Sequence, residues 1–244
     1  MQNYYIHAAA KKVQSGGGGA APTVSGHATI AADLEHYYTM DSDGTDSLAS
    51  MNLTNNGGTN EAGFLNNGYT IGGYLNAADA STITALSSGL TFGIWVQNTN
   101  LAANNGAVVS QGIVSGSYMH GFVLKFGDVS DSKTYVTWLT RSDPGGSFGV
   151  SVSSGYIIEA STWYYLIAKW NGSVIELKIN NVSMGTTAAT NIKSLAGYEF
   201  YVGTGTTGHS ALTGKIDELM ILDRATTDDE DTDLYNAGAG LPYA

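Results

Sequence analysis

The stretch that decides the fold lies near the C-terminus and reads Gly214-Lys215-Ile216-Asp217-Glu218-Leu219-Met220-Ile221-Leu222. Its run of large apolar residues is typical of a buried β-strand, with an acidic pair at the start. Because side chains alternate along a strand, we expect Asp217 to share a face with Leu219 and Ile221, and Glu218 to point to the opposite face. If the first of these faces is the core, Asp217 is a carboxylate buried among apolar side chains.

A short acidic helix is predicted after this strand, at residues 227–236. Thr226 or Thr227 can cap it, with Asp229 or Glu230 three residues later as the partner in a capping box. Gly238 is well placed to end it. A charge run at the positive end of the helix dipole is typical of a solvated helix N-terminus, and this run comprises Asp228, Asp229, Glu230, Asp231 and Asp233.

Upstream, short β-rich runs alternate with polar turns. Residues 90–96 place Phe92, Ile94 and Val96 on one face and Trp95 on the other, which predicts a central strand. The clearest hairpin joins residues 163–170 to 174–179 through Asn171-Gly172, a pair that favours a type I′ turn, and Asn180-Asn181 makes a second turn. Further strands are expected at residues 35–40, 107–111, 121–126, 135–139, 148–152 and 199–203. With no βαβ rhythm, the chain is predicted to be all-β, an antiparallel two-sheet sandwich of jelly-roll type with one short C-terminal helix.

Composition limits the possible partners. The chain has 244 residues, a formal net charge of -11, and no cysteine. No Lys or Arg occurs between Val13 and Leu124, so the clustered positive charge that nucleic acids and anionic membranes need is missing. We therefore expect neither nucleic acid nor membrane as a partner, and the absence of cysteine excludes disulfides and thiolate metal sites.

The N-terminal part is predicted to be an arm, followed by one domain. Residues 15–22 form a glycine-rich linker, so we assign residues 1–22 to the arm and linker and 23–244 to a β-sandwich domain. The first residues lack the apolar core of a signal peptide. The arm is predicted to dock onto other subunits. The residues predicted to make this contact are Tyr4, Tyr5, Ile6, Lys11 and Lys12.

Five blocks in order resemble the laminin-G-like branch of the concanavalin A-like lectin/glucanase superfamily. They are residues 38–47 with an acidic turn, the Trp-bearing strand 90–96, the hairpin 163–172, the turn 179–182, and the closing segments 214–224 and 234–238. The turn has Asn181 where the family usually has Gly. The resemblance covers roughly residues 34–240 and implies a lectin-type sandwich that binds or decorates.

Catalysis is not expected. Glucanases of this superfamily carry two glutamates flanking an aspartate at alternate positions of one strand, so that the carboxyl groups meet on one face. The adjacent pair Asp217-Glu218 does not have that spacing, and five scattered histidines define no Ser/His/Asp triad.

A structural calcium ion is one possibility for the acidic residues. The resemblance implies such an ion, and a buried Asp217 would need a cation or several N–H donors. Asp41, Asp43 and Asp46 of the acidic turn could supply further oxygen ligands. The alternative is that these three residues form Asx turns and that Asp217 accepts backbone N–H bonds.

Aromatic residues in or near the predicted loops are candidates for stacking on sugar rings. They are Tyr118, His120, Tyr156, Tyr198 and His209. The alternative is that they pack at strand ends. The sequence favours a non-catalytic virion surface or decoration protein, such as a phage component, docked in multiple copies through its arm. The alternative is an extracellular glycan-binding adhesion module.

Overall fold

Two β-sheets packed face to face form the framework of the protein. The computed structural model describes residues 23–78, 83, 89–100, 106–115, 118–127, 136–141, 150–155, 158–189, 198–205 and 210–243. Within them, each sheet has eight strands and the sandwich between the sheets holds the main core. The predicted all-β sandwich with one short C-terminal helix is confirmed.

The first sheet contains the deciding stretch as one of its central strands. Its strands are β1 (Leu34–Tyr38), β3 (Thr59–Ala62), β4 (Asn67–Thr70), β6 (Leu90–Asn98), β11 (Trp163–Trp170), β12 (Val174–Ile179), β13 (Val182–Ala188) and β16 (Gly214–Leu222). The order is β13-β12-β11-β6-β16-β4-β3, and β1 also pairs with β16. All of these pairs are antiparallel.

The second sheet brings together strands that are far apart in sequence. Its strands are β2 (Thr54–Asn56), β5 (Tyr74–Ala77), β7 (Gly106–Ser115), β8 (Tyr118–Phe126), β9 (Val136–Arg141), β10 (Val150–Ser153), β14 (Phe200–Val202) and β15 (Ser210–Ala211). The order is β10-β9-β8-β7-β14-β5-β2, and the two-residue β15 adds one parallel pair to β7.

The main core lies between the sheets. Phe92, Ile94 and Val96 of β6 point into it, as the alternation predicted, and each is fully buried. The ring of Phe92 lies 5.0 Å from that of Phe122 and 6.1 Å from that of Phe200, so aromatic contacts join the two sheets at this point. Removal of this apolar surface from water is the main stabilising contribution.

A third layer, which we call the terminal cap, covers the outer face of the first sheet. It consists of helix α1 (Ala28–Ala31), helix α2 (Asp228–Tyr235) and the tail that follows α2. Their apolar side chains, among them Ile30, Leu234 and Leu241, form a second cluster with Trp95 on the back of β6. The backbone N–H of Val24 donates to the carbonyl of Pro242 at 2.9 Å, which joins the two ends of the cap.

Helix α2 begins as the sequence predicted and ends differently. The Thr227 side chain accepts from Glu230 N and the Glu230 side chain accepts from Thr227 N, which completes the capping box. The helix ends at Tyr235 because Asn236 adopts a left-handed conformation, with φ of 47°. Gly238 lies instead in the 3-10 turn that follows.

The prediction that the acidic run is solvated is wrong for two of its residues. Asp231 is fully buried and Glu230 is 8% exposed. Asp231 Oδ2 lies 2.7 Å from Lys169 Nζ and 2.6 Å from Lys178 Nζ, while Glu230 binds Arg224 through both of its oxygens. These ion pairs hold the helix on β11 and β12.

The hairpin turns also differ from the prediction. Asn171-Gly172 is not a type I′ turn, because only Gly172 of the pair has positive φ, at 89°. Asn171 N donates to the Val174 carbonyl at 3.1 Å, so Gly172 and Ser173 are the turn residues, and a glycine with positive φ at the first of these two positions is typical of a type II′ turn. At the second turn both Asn180 and Asn181 have positive φ, so the type I′ conformation occurs there.

Among the described residues, no helix has the length and the apolar character needed to cross a membrane.

Candidate functional site

A row of polar and aromatic side chains lies on the outer face of the second sheet, away from the main core. In β14, Phe200 and Val202 are buried and Tyr201 between them is half-buried. In β5, Tyr74 and Asn76 are half-buried while their neighbours along the strand are buried. We name this row the outer strip, and it consists of Thr54, Asn56, Tyr74, Asn76, Glu199 and Tyr201.

Strand pairing sets the spacing of the outer strip. Tyr201 lies opposite Asn76, which in turn lies opposite Thr54, and Asn56 lies opposite Tyr74. Three neighbouring strands span about 10 Å at about 4.8 Å per step.

Two tyrosines form the aromatic part of the strip. The rings of Tyr74 and Tyr201 lie 5.6 Å apart with an interplanar angle of 64°, an edge-to-face arrangement. The Tyr201 hydroxyl donates to a carboxylate oxygen of Glu199, which fixes the direction of that phenol. The pair therefore presents ordered aromatic surface rather than freely rotating rings.

Two amides complete the strip. Asn56 Nδ2 donates to Asn76 Oδ1 at 2.8 Å and to the Thr54 carbonyl at 3.1 Å. These bonds use both hydrogens of the Asn56 amide and orient the Asn76 side chain. Asn56 Oδ1 is thus left as an acceptor and Asn76 Nδ2 as a donor on the exposed side.

The aromatic residues that the sequence proposed for sugar binding are not brought together among the described residues. Tyr198 is half-buried and packs against the main core, and its carbonyl accepts from Gln111 Nε2 at 3.1 Å. His120 lies inside β8 rather than in a loop, and Tyr118 begins that strand. Tyr156, His209 and the side chains of Tyr118 and His120 lie outside the described residues, so their role in binding stays a prediction.

Tyr74 and Tyr201 were missed by sequence reasoning. The available signal was the period-two alternation of residues 74–77 and 200–202, which places a tyrosine on the solvent side of each strand. That signal shows which face each residue occupies. It does not show that the two strands are neighbours.

Asp46 is held in a buried network of hydrogen bonds. Its carboxylate accepts from Tyr37 N at 3.0 Å, Met51 N at 3.0 Å and Leu48 N at 3.1 Å, and it contacts His36 Nδ1 at 2.8 Å. Burial opposes ionisation, but these bonds outweigh it and hold the pKa of Asp46 well below its usual range. Asp46 therefore organises the turn after β1.

Asp41 and Asp43 have separate partners. Asp43 accepts from Thr45 N at 2.8 Å in an Asx turn, and Asp41 accepts from Asn67 N at 3.0 Å. Among the described residues, no group of three or more His, Cys, Asp or Glu side chains is placed to hold a metal ion. Asp41, Asp43, Asp46 and Asp217 do not form one ligand set, and the calcium ion stays a prediction from the sequence.

The face predicted for Asp217 is wrong because β16 contains a β-bulge. Asp217 pairs with Trp95 and Met220 pairs with Gly93. The two intervening residues of β16, at positions 218 and 219, therefore lie opposite one residue of β6, at position 94. Glu218 takes up the extra residue with φ of 50°. Asp217 and Glu218 consequently both lie on the side of the terminal cap, whereas Leu219 and Ile221 face the main core.

The two carboxyl groups are buried beneath the cap. Asp217 Oδ2 accepts from the N–H groups of Phe64 and Leu65, each at 2.8 Å, and its Oδ1 has no hydrogen-bond partner among the described residues. Burial raises the pKa of Asp217 to about 8, and the nearby Glu218 adds to the shift. Burial likewise raises the pKa of Glu218 to about 8, although its hydrogen bond from the Tyr37 hydroxyl opposes this.

The cavity that Glu218 lines is too small for a saccharide. Glu218 lines a cavity of about 10 Å³ with Tyr37, Trp95 and residues of the cap. A space of that size holds at most one water molecule.

A serine, a histidine and an aspartate also meet, without the geometry of a catalytic triad. Ser50 Oγ and Asp46 Oδ2 each lie 2.8 Å from the same ring nitrogen of His36, Nδ1. In a triad the serine contacts one ring nitrogen, which takes the serine proton, while the carboxylate contacts the opposite ring nitrogen and stabilises the charged ring. His36 is fully buried, and this group fixes the turn.

The proposed docking residues of the arm, Tyr4, Tyr5, Ile6, Lys11 and Lys12, lie outside the described residues. The boundary between arm and domain at residues 22 and 23 likewise stays a prediction.

The two packed sheets define a lectin-type β-sandwich. The family model Laminin_G_3, of the concanavalin A-like lectin/glucanases superfamily, matches residues 67–230. The chain belongs to this family, and the resemblance found in the sequence is confirmed.

Solved structures with the same fold include three binding proteins. Domain 4 of AbnA, a GH43 extracellular arabinanase from Geobacillus stearothermophilus solved with arabinotriose, aligns with a TM-score of 0.66 and 18% identity, over 82% of this chain and 97% of that chain. The binding domain of Paraclostridial Mosquitocidal Protein 1 aligns with a TM-score of 0.65 and 14% identity, over 85% of this chain and 52% of that chain. Botulinum neurotoxin type C, whose cell entry depends on interaction with two ganglioside molecules, aligns with a TM-score of 0.59 and 10% identity, over 86% of this chain and 52% of that chain. This chain thus spans about half of the latter two, and identities this low show the fold alone. No curated protein sequence matches the chain.

Proposed function

We propose that this protein is a non-catalytic carbohydrate-binding module that binds a glycan on its outer strip. The observation that carries the proposal is the half-exposed, edge-to-face pair of Tyr74 and Tyr201, framed by two amides and one carboxylate. Proteins of the same fold that bind arabinotriose or gangliosides support it.

The chemistry of the strip suits a sugar. An aromatic face packs against the C–H groups of a sugar ring, and the flanking polar atoms exchange hydrogen bonds with its hydroxyls. Glu199 holds the Tyr201 phenol in place, and Asn56 orients Asn76. Because these groups are ordered before the ligand arrives, binding costs less side-chain entropy.

The absence of catalysis is supported by the position of the acidic residues. Asp217 and Glu218 lie on the first sheet beneath the terminal cap, and their exposed fractions are 0% and 4%. A glycosidase needs two carboxyl groups that flank the scissile bond of a bound substrate. Glu199 is the one carboxyl group of the outer strip, so the strip by itself can bind a saccharide without cleaving it.

Truncation of the tyrosines tests this function. We expect Tyr74→Ala and Tyr201→Ala each to weaken glycan binding about tenfold or more, since each removes ring surface from the contact. Tyr201→Phe keeps the ring and is expected to lose less. The measurement is a glycan array followed by titration calorimetry on the strongest hit.

Tyr198→Ala is the matched control for these variants. Tyr198 precedes the same strand but packs against the core, so this change is expected to lower the melting temperature and leave glycan affinity unchanged. The reverse pattern, with binding lost in Tyr198→Ala and kept in Tyr201→Ala, contradicts the assignment of the strip.

The finer proposal from the sequence places this module on a virion surface, docked to other subunits through residues 1–22. It is supported by composition: a cysteine-free chain with a glycine-rich linker between arm and sandwich. Deletion of residues 1–22 is expected to abolish incorporation into particles while the isolated sandwich keeps its melting temperature and its glycan binding. Unchanged incorporation of the truncated protein rejects this docking role.

A further inference from the structure

We propose that the outer strip takes uncharged saccharides and rejects glycans that carry carboxylate or sulfate groups. This inference rests on the proposed function and adds the class of ligand. It follows from the charges around the strip, from its hydrogen-bonding groups, and from the location of the described basic residues.

The strip carries one charged group, and that group is negative. Glu199 lies at one end of the strip, directly before β14, and is hydrogen-bonded to Tyr201, whose ring forms half of the aromatic surface. An anionic sugar stacked on Tyr201 would bring its negative charge close to this carboxylate. The net charge of -11 adds repulsion over the whole protein.

The described basic residues do not offset this charge. Four of the six lie in or just after strands of the first sheet and are paired with carboxylates there: Lys169, Lys178, Lys215 and Arg224. The other two, Lys125 and Arg141, lie in β8 and β9 and are separated from β14 by at least β7. Two strand steps are about 10 Å, which is close to one Debye length at physiological salt.

Four hydrogen-bonding atoms of the strip can act only as acceptors. They are the carboxylate oxygens of Glu199, the phenol oxygen of Tyr201, whose hydrogen is donated to Glu199, and Asn56 Oδ1. Acceptors need donors, and neutral sugars supply many hydroxyl donors. A carboxylate or sulfate supplies only acceptors, so it gains no hydrogen bond at these atoms, and the groups of the strip that can donate to it are Asn76 Nδ2 and the hydroxyls of Thr54 and Tyr74.

Paired ligands test the inference directly. The intact protein is titrated with arabinotriose, and an array compares each neutral oligosaccharide with its sialylated or uronate counterpart, such as lactose with 3′-sialyllactose. We expect the neutral member of each pair to bind more tightly, and the difference to shrink when salt is raised from low to high concentration.

Replacement of the Glu199 carboxylate is the second test. Glu199→Gln is expected to improve affinity for anionic ligands about fivefold, because it removes a like charge at contact distance while keeping a polar partner for Tyr201. Glu159→Gln is the matched control: Glu159 is exposed and outside the strip, and its change removes the same formal charge. Melting temperatures confirm that both variants remain folded.

The outcomes separate the two proposals. If anionic glycans bind more tightly than their neutral counterparts and Tyr201→Ala abolishes that binding, the strip binds glycans but the inference about charge is wrong. If Glu159→Gln improves anionic binding as much as Glu199→Gln, the discrimination belongs to the net charge and not to the strip, and the inference is again wrong. If no glycan on the array binds, the proposed function fails.

Discussion

Asp231→Ala is expected to cost about 3–5 kcal/mol of folding free energy, the range seen when one partner of a buried ion pair is removed. Asp231 is fully buried and lies 2.7 Å from Lys169 Nζ and 2.6 Å from Lys178 Nζ. Its Oδ1 also accepts from the Thr226 hydroxyl at 2.5 Å. Without this carboxylate, two largely buried ammonium groups lose their shared partner.

The remaining acids do not replace Asp231. Glu176 lies 3.2 Å from Lys169, and Asp228, which is 84% exposed at its side chain, lies 2.5 Å from Lys178. Although burial opposes it, hydrogen bonds to Asp228 and Asp231 raise the pKa of Lys178, so both carboxylates favour the charged lysine. Loss of Asp231 leaves Lys178 hydrogen-bonded to Asp228, a partner that water screens.

Chemical denaturation measures this effect, with Asp229→Ala as control. Asp229 is exposed on the same helix, and its removal takes away the same charge. We expect the control to change the unfolding free energy by less than about 1 kcal/mol. Equal effects of the two substitutions would show that helix dipole and net charge, rather than the buried ion pairs, hold the cap in place.

Stability is expected to fall as pH rises from 5 to 8, because of Asp217 and Glu218. Burial raises the pKa of each carboxyl group to about 8 in the folded state, whereas both ionise near pH 4 in the unfolded chain. Between these values the unfolded state binds fewer protons than the folded state. The unfolding free energy therefore decreases by roughly 1 kcal/mol per pH unit for each group and levels off above pH 8.

Asp217→Asn is expected to reduce this slope and to raise stability at pH 8. The amide oxygen can still accept from Phe64 and Leu65, and no charge has to be buried. Asp223→Asn is the control, since Asp223 is exposed and directly follows β16. Urea titrations at pH 5, 6, 7 and 8 provide the comparison, and an identical pH slope in the wild-type and Asp217→Asn proteins would contradict the assignment.

Sequence reasoning identified the elements that local patterns determine. The alternation in residues 90–96, the hairpin of residues 163–179 and the capping box of Thr227 and Glu230 were all predictable, because each depends on residues close together in the chain. Their agreement with the structure explains why the fold class could be predicted.

The bulge in β16 could not be predicted from that kind of pattern. In an alternating strand, Asp217 and Glu218 have one expected arrangement, with their side chains on opposite faces. The structure places both toward the cap, where Asp217 meets the backbone of Phe64 and Leu65 and Glu218 meets Tyr37. These partners lie about 150 residues or more away in sequence, so tertiary contacts decide the local conformation.

The outer strip was missed for the same reason. Its residues come from positions 54–56, 74–76 and 199–201, and β14 lies beside β5 only because of the sheet order. The sequence predicts binding residues in loops, whereas the strip lies on strands.

The central claim is that this family member binds an intact, uncharged glycan on its outer strip. An NMR titration of the isotope-labelled full chain with arabinotriose, or with the strongest neutral hit of the array, tests it most directly. The account predicts that shift changes cluster at Tyr74, Asn76, Glu199 and Tyr201, and that the oligosaccharide is recovered uncleaved. Shift changes centred on Glu218 and the terminal cap, or release of shorter sugars, would contradict it.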